Sequence, residues 1–138
     1  MDQTLQRKVW RRAGAACEYC RLPQHADPLP FQIDHVLAQQ HGGLTVSENL
    51  ALACLFCNKH KGPNIAGIDP QSGKMVRLFH PRRDKWSRHF RWEDCRLVGR
   101  TATGRATIHV LAINHPDNIE LRKALIDNGE FPGAGMPS

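Results

Sequence analysis

The chain lacks any long apolar run. Its stretch Leu50 to Phe56 is far too short to span a bilayer, so no membrane association is expected. The opening residues, Met1 to Lys8, hold no apolar segment that can serve as a signal peptide, which predicts a cytoplasmic protein. Repeats and low-complexity tracts are absent too, so repeat architectures are excluded. Acidic residues are in short supply. Against 19 Lys and Arg stand 13 Asp and Glu, leaving a formal charge of +6. Such a balance says nothing about fold, but it favours polyanionic partners.

What is present fits one domain of 138 residues, 41% hydrophobic, with a modest core divided between two small subregions that would each gain from a metal staple. Leu5, Val9, Ala13 and Ala16 recur every three or four residues, predicting an amphipathic helix over 3–15 with Lys8, Arg11 and Arg12 on its wet side. Three prolines make 21–30 a loop. Phe31 to His35 alternates as a short strand, His41-Gly-Gly43 starts a return loop, and Leu50 to Ala53 supplies a second strand. A short helix over 55–61 is stopped by Gly62-Pro63. The turn signal Asp69 to Gly73 predicts a hairpin between 65–68 and 75–79. Short strands are expected over 89–92 and 96–98. Residues 103–113 are read as helix despite their β-branched content, and a last helix from Pro116 has Ile119, Ala124, Leu125 and Ile126 inside and Gly129 as its cap.

Four of the five cysteines form two Cys-x-x-Cys pairs, Cys17/Cys20 and Cys54/Cys57, separated by 33 residues. Two intervening residues let the backbone curl so that both sulfurs face one ion, and two such pairs complete a tetrahedral thiolate site for structural zinc. A thioredoxin-like redox pair would need a βαβ context, which is missing. Cys95 reads as an ordinary, partly buried thiol.

Between the pairs lie Asp34-His35 and Asn49, with Asn58 just after. A hairpin folding on the short helix would bring Asp34, His35 and Asn58 to one face. A carboxylate and an amide oxygen suit a hard divalent cation such as Mg²⁺ or Mn²⁺. A neutral imidazole, with a reference pKa near ~6.5, can take a proton from water. Singly, each of these residues is more often a strand end, a cap or a turn residue. Their joint placement inside the cysteine clamp is what points to hydrolysis of a phosphodiester.

The string Asp34-His35, His41-Gly42-Gly43, Asn49-Leu50, Cys54-x-x-Cys57-Asn58-x-x-Lys61 resembles the HNH endonuclease family in its zinc-clamped branch, over about residues 10–62. The resemblance implies an α+β fold built on a ββα-metal (His-Me finger) motif, with an N-terminal helix and a basic extension over about 63–130. It implies His35 as general base, Asp34 and Asn58 as holders of the catalytic cation, Asn49 as the brace of the loop, and products carrying a 5′-phosphate and a 3′-hydroxyl. The third motif position is Asn58 rather than histidine, which shifts preference toward Mg²⁺ or Mn²⁺. His60 is the second choice there, although i to i+2 on a helix points it elsewhere.

Between Lys74 and Arg100 stand nine Lys or Arg against three acidic residues. Trp86, Phe90 and Trp92 interleave with Arg82, Arg83, Lys85, Arg88 and Arg91. The aromatics are expected in the core, and those cations, together with Lys61, are expected on the phosphates of DNA, with RNA not distinguished. The same His80-Pro-Arg and Phe-Arg-Trp92 pattern occurs in HNH-like proteins, without a role that the sequence assigns. The rival reading is a zinc-stabilised nucleic-acid-binding module without catalysis, and a weaker one is a protein-interaction zinc module. The target, the number of strands cut and the oligomeric state are not encoded legibly.

Overall fold

In the computed structural model the described residues are 1–131; the segment Pro132 to Ser138, expected to be a frayed tail, lies outside them. The chain runs through α1 (Gln3–Ala13), β1 (Gln32–His35), β2 (Leu50–Ala53), α2 (Leu55–Lys61), β3 (Ala66–Ile68), β4 (Met75–Arg77), α3 (Trp86–His89), β5 (Phe90–Glu93), β6 (Arg96–Gly99), α4 (Ala102–Val110) and α5 (Pro116–Asp127). The result is an α+β fold with three separate two-stranded antiparallel sheets, β1-β2, β3-β4 and β5-β6. No helix among the described residues is long and apolar enough to cross a membrane.

Helix α1 opens on Asp2, whose carboxylate accepts from Thr4 N at 2.6 Å, and it closes on Gly14 in the left-handed region. Val9 is buried against β2, but the wet side is narrower than the sequence suggests. Arg12 turns inward and donates to the carbonyls of Ser47 (2.7 Å) and Leu50 (2.5 Å), tying the helix to the start of β2. Strand β2 is buried along its whole length. Its Leu52 N–H and C=O, pointing away from β1, are both taken by Glu18. The Glu18 backbone N–H donates to Leu52 O at 2.8 Å, and its carboxylate accepts from Leu52 N at 2.8 Å. The edge is thus closed rather than left open for pairing.

The first Cys-x-x-Cys segment, residues 17–20, is fully within the core and carries the second half of the chain. Tyr19 O accepts from Trp86 Nε1 at 2.9 Å, and the Glu18 carboxylate is ion-paired with Arg82. Trp86 and Phe90 are buried and Trp92 half-buried, as core residues should be. Phe79, Phe90, Trp86, Trp92 and Phe131 form a chain of aromatic contacts with neighbouring centroids 4.9–5.9 Å apart. One hydrophobic cluster includes residues from Val9 through Phe131.

Several boundaries move. His89 closes the one-turn helix α3 instead of opening a strand, which begins at Phe90. Residues 102–110 are helical because Thr101 caps them, its hydroxyl accepting from Gly104 N at 3.0 Å. Gly104 is required there, since a Cβ would sit 2.1 Å from His89 O. On α5, Leu125 is buried, but Ala124 is exposed; the buried neighbour is Arg122. Its guanidinium donates to Cys95 O, Ile113 O and Asn114 Oδ1 at 2.8–3.0 Å, so a helix with little apolar periodicity docks through charge-assisted bonds instead.

The turn after β3 is organised by Asp69. Its buried carboxylate accepts from Gln71 N and Ser72 N and receives both Nε and a terminal nitrogen of Arg105 at 2.9 and 3.0 Å. Those guanidinium bonds hold Asp69 well below the usual carboxylate range. A depressed folded value means the stabilisation is complete above the ordinary aspartate pKa and is lost as pH falls below it. Asp69→Asn should therefore lower Tm at about pH 7, and the gap to wild type should close as pH falls below about 4. Thermal melts across that range check this; a gap that does not change with pH contradicts it.

Candidate active site

The four cysteine sulfurs lie within 4.8 Å of one another, all buried, and Cys20 Sγ is 3.8 Å from Cys54 Sγ. A tetrahedron of ~2.3 Å Zn–S bonds has edges of about 3.8 Å. Cys54 also caps α2, its sulfur accepting from Cys57 N at 3.4 Å, so the backbone is already turned toward a common centre. Burial opposes ionisation of Cys17, yet hydrogen bonds from the other three thiols hold it well below the ordinary thiol value. Cys54 and Cys57 are pushed up because they carry those protons. A divalent cation removes that conflict by accepting all four as thiolates. The donor set fits zinc, and all four positions are filled by protein, as in a structural site.

Strand β1 and helix α2 present the remaining candidates. Asp34, His35 and Asn58 line one open cleft of about 300 Å³, together with Ile33, Ala38, Gln39, Gln40, Gly62 and Pro63. Asp34 pairs with Ala51 in the β1-β2 ladder and is only 6% exposed. Its Oδ2 accepts from Tyr19 Oη at 2.8 Å and lies 3.1 Å from Lys61 Nζ. Burial pushes the Asp34 carboxyl up, and the Lys61 charge and Tyr19 hydroxyl oppose it. Burial and the neighbouring Asp34 also drive Tyr19 well above the usual phenol value, so its hydroxyl stays a donor. Oδ1 accepts from Lys61 Nζ at 3.5 Å, the longer of that ammonium's two contacts with the carboxylate, and keeps a lone pair for another ligand.

Asn58 Nδ2 donates to Gln32 Oε1 at 2.6 Å. This fixes the amide so that its oxygen, the donor a hard cation needs, is the free end. His35 Nε2 sits 2.9 Å from Thr45 Oγ1, which leaves Nδ1 unengaged by that contact. Asn49 lies on the other side of the loop. It accepts from Leu37 N at 2.8 Å and donates to Leu37 O (3.0 Å) and Leu44 O (2.9 Å), cross-linking the segment after His35. Gly43 is forced by that tightness, because a Cβ would meet Leu37 O at 1.7 Å. His60 stacks on Phe56 with centroids 4.0 Å apart and is not part of the cleft.

Residues 17–64 match the HNH endonuclease family model. Neither the curated proteins nor the solved structures searched gave a match. The HNH stretch covers both cysteine pairs and the whole cleft, and it ends where the basic extension begins.

Two cations of the expected phosphate-binding set are not available to a partner. Lys61 is 1% exposed, and besides Asp34 its ammonium is held by Val36 O at 3.0 Å and His35 O at 3.5 Å. Arg82 turns inward to Glu18. Both are anchors because a buried carboxylate without a counter-charge is far costlier than a lost surface contact. Arg83, Lys85, Arg88 and Arg91 remain exposed, and Arg91 is only loosely paired with Glu93 at 3.4 Å. Tyr19, Gln32, Thr45 and Glu18 were not singled out from sequence. Only the position of Gln32, two residues before Asp34 on the same strand face, carried a signal.

Lys61→Met should cost about 3–5 kcal/mol, since it leaves Asp34 charged and buried, and adding Asp34→Asn should recover part of that loss. Urea melts of the two variants check it. A single-variant loss below about 1 kcal/mol would place the ion pair at a solvent-accessible, weakly coupled site.

Proposed function

We propose that this protein is a metal-dependent endonuclease that hydrolyses phosphodiester bonds of DNA at the cleft between β1 and α2. The observation that carries the reading is the convergence of Asp34, His35 and Asn58 on one open cleft inside the matched HNH stretch. Four separate features support it: a carboxylate whose Oδ1 carries one long hydrogen bond, an amide held to Gln32 through its nitrogen rather than its oxygen, an imidazole with one nitrogen fixed, and a net charge of +6.

Asp34 and Asn58 would hold Mg²⁺ or Mn²⁺, which supplies charge stabilisation at the phosphate and the leaving oxygen. His35 takes a proton from water, and the water oxygen bonds to phosphorus. The bond from phosphorus to the 3′ oxygen breaks, and that oxygen leaves as a hydroxyl by taking a proton from solvent water in the open cleft, so the products are a 5′-phosphate and a 3′-hydroxyl. Nδ1 is the nitrogen that meets water if Nε2 donates its proton to Thr45, and Asn49 keeps the following loop from shifting the ring. Zinc at the four cysteines is structural, and Arg83, Lys85, Arg88 and Arg91 contact phosphate.

Closed circular plasmid incubated with the purified protein tests the reading. Nicking should require Mg²⁺ or Mn²⁺ and fall by at least about 100-fold in both His35→Ala and Asn58→Ala, while DNA binding stays near wild type. Salt-sensitive binding with no cleavage under any metal would instead favour a zinc-stabilised binding module. A parallel variant, Cys57→Ser, should lose the bound zinc and its cooperative melt; wild-type melting would refute the clamp.

A further inference from the structure

A second concavity lies behind the loop that follows His35. It measures about 710 Å³, and its floor and walls include Val36, Leu37, Leu44, Ile65 and Leu78. The volume is in the usual range for small-ligand sites. Leu44 is 67% exposed and Ile65 53%, so the mouth displays apolar surface that no described residue covers. The two concavities share a wall. His35 and residues 38–40 face the cleft, while residues 36–37 and 42–43 face this cavity.

One side of the cavity is bordered by the His80-Pro-Arg-Arg-Asp84 turn, the motif whose role the sequence left open. It is tightly tied together. Asp84 accepts from His80 N at 2.8 Å and from both terminal nitrogens of Arg77 at 2.5 and 3.0 Å, and the Arg83 and Asp84 N–H groups return to His80 O. Arg82 N donates to His80 Nδ1 at 3.2 Å, which assigns the proton of a neutral ring to Nε2. Burial holds His80 below the usual imidazole value, so the neutral ring is the form present near neutral pH. The ring therefore offers a fixed Nε2–H donor. Of the two adjacent arginines, Arg82 anchors the turn to Glu18 and Arg83 points to solvent beside the cavity. The exposed side-chain amide of Asn64, also on the cavity, makes no hydrogen bond within the described residues.

The geometry points to a nucleotide subsite: an unpaired base of the strand being cut enters this cavity, its edge meeting the His80 Nε2–H and the Asn64 amide, with a flanking phosphate on Arg83. Apolar walls take the flat faces of any base, the two polar groups read its edge, and the cation on the rim neutralises its phosphate. A paired base cannot enter a concavity of this kind, because its edge is engaged and it is stacked on both sides. The inference rests on the nuclease reading for its substrate, and it adds to that reading a preference for a frayed, flipped or single-stranded position next to the cut.

Deoxynucleoside monophosphates test the subsite without any bond being cleaved. Titrated into the zinc-loaded full chain without added magnesium, they should shift the NMR signals of the His80 ring, the Asn64 side-chain amide and the Ile65 and Leu78 methyls. Arg83→Ala should weaken that binding about tenfold or more, as loss of a charged hydrogen bond does, and Asn64→Ala should narrow the difference between bases. Both positions are exposed, so neither variant should alter the fold. Shifts confined to the cleft at His35 and Asn58, equal shifts with inorganic phosphate alone, or affinity unchanged in Arg83→Ala would each overturn the subsite. Nucleotide binding at the cavity without plasmid nicking would leave the subsite standing while the nuclease reading falls, and nicking without nucleotide binding would do the reverse.

Discussion

Everything that positions the cleft depends on the two Cys-x-x-Cys segments meeting at one point. The first segment, residues 17–20, arrives from α1, and the second joins β2 to α2. With their sulfurs within 4.8 Å of one another, the two residues inside the first pair are fixed against the strand and the helix. Glu18 then closes the outer edge of β2 and receives Arg82, while Tyr19 hydrogen-bonds Asp34 through its hydroxyl and Trp86 through its carbonyl. A single knuckle therefore holds one side of the candidate active site and docks the aromatic core of the extension. In a domain of this size, a metal staple supplies folding energy that the hydrophobic core alone would struggle to provide.

The second feature is the cost accepted at the cleft. Asp34, Lys61 and Glu18 are buried charges, and each is compensated by a specific partner rather than by water. Buried ion pairs are poor sources of net stability, but they are severe about geometry, because any misplacement leaves a charge uncompensated. Lys61 illustrates the use. One ammonium binds Asp34 and the carbonyls of His35 and Val36, so the carboxylate and the His35 end of β1 are held relative to α2. It also borders the larger cavity, which places this ion pair in the partition between the two concavities.

Much of this was readable from residue spacing. Two Cys-x-x-Cys pairs, Asp34-His35 ahead of a glycine-rich return, and Asn58 on a short helix stopped by Gly62 are local patterns, and local patterns survive folding intact. The β3-β4 hairpin followed from its turn residues for the same reason. What failed was the side chosen by long cationic side chains. Lys61 finds Asp34 at a separation of 27 residues, Arg82 finds Glu18 at 64, and Arg12 finds Leu50 at 38. No periodicity announces such partners, so Arg12 was read as solvated and Lys61 and Arg82 as phosphate contacts. Helix α5 misled in the same way, burying Arg122 where Ala124 was expected inside.

The proposed chemistry needs two metals with different ligands: a soft, closed four-sulfur site and a hard, open oxygen site at the cleft. Anomalous diffraction from crystals grown with Mn²⁺, recorded at the zinc and manganese edges, tests both at once. The expected result is a zinc peak equidistant from the sulfurs of Cys17, Cys20, Cys54 and Cys57, at about 2.3 Å, and a manganese peak in contact with the side-chain oxygens of Asp34 and Asn58. A manganese peak elsewhere, or none at that cleft, would contradict the catalytic assignment and leave the zinc-stapled fold without its proposed chemistry.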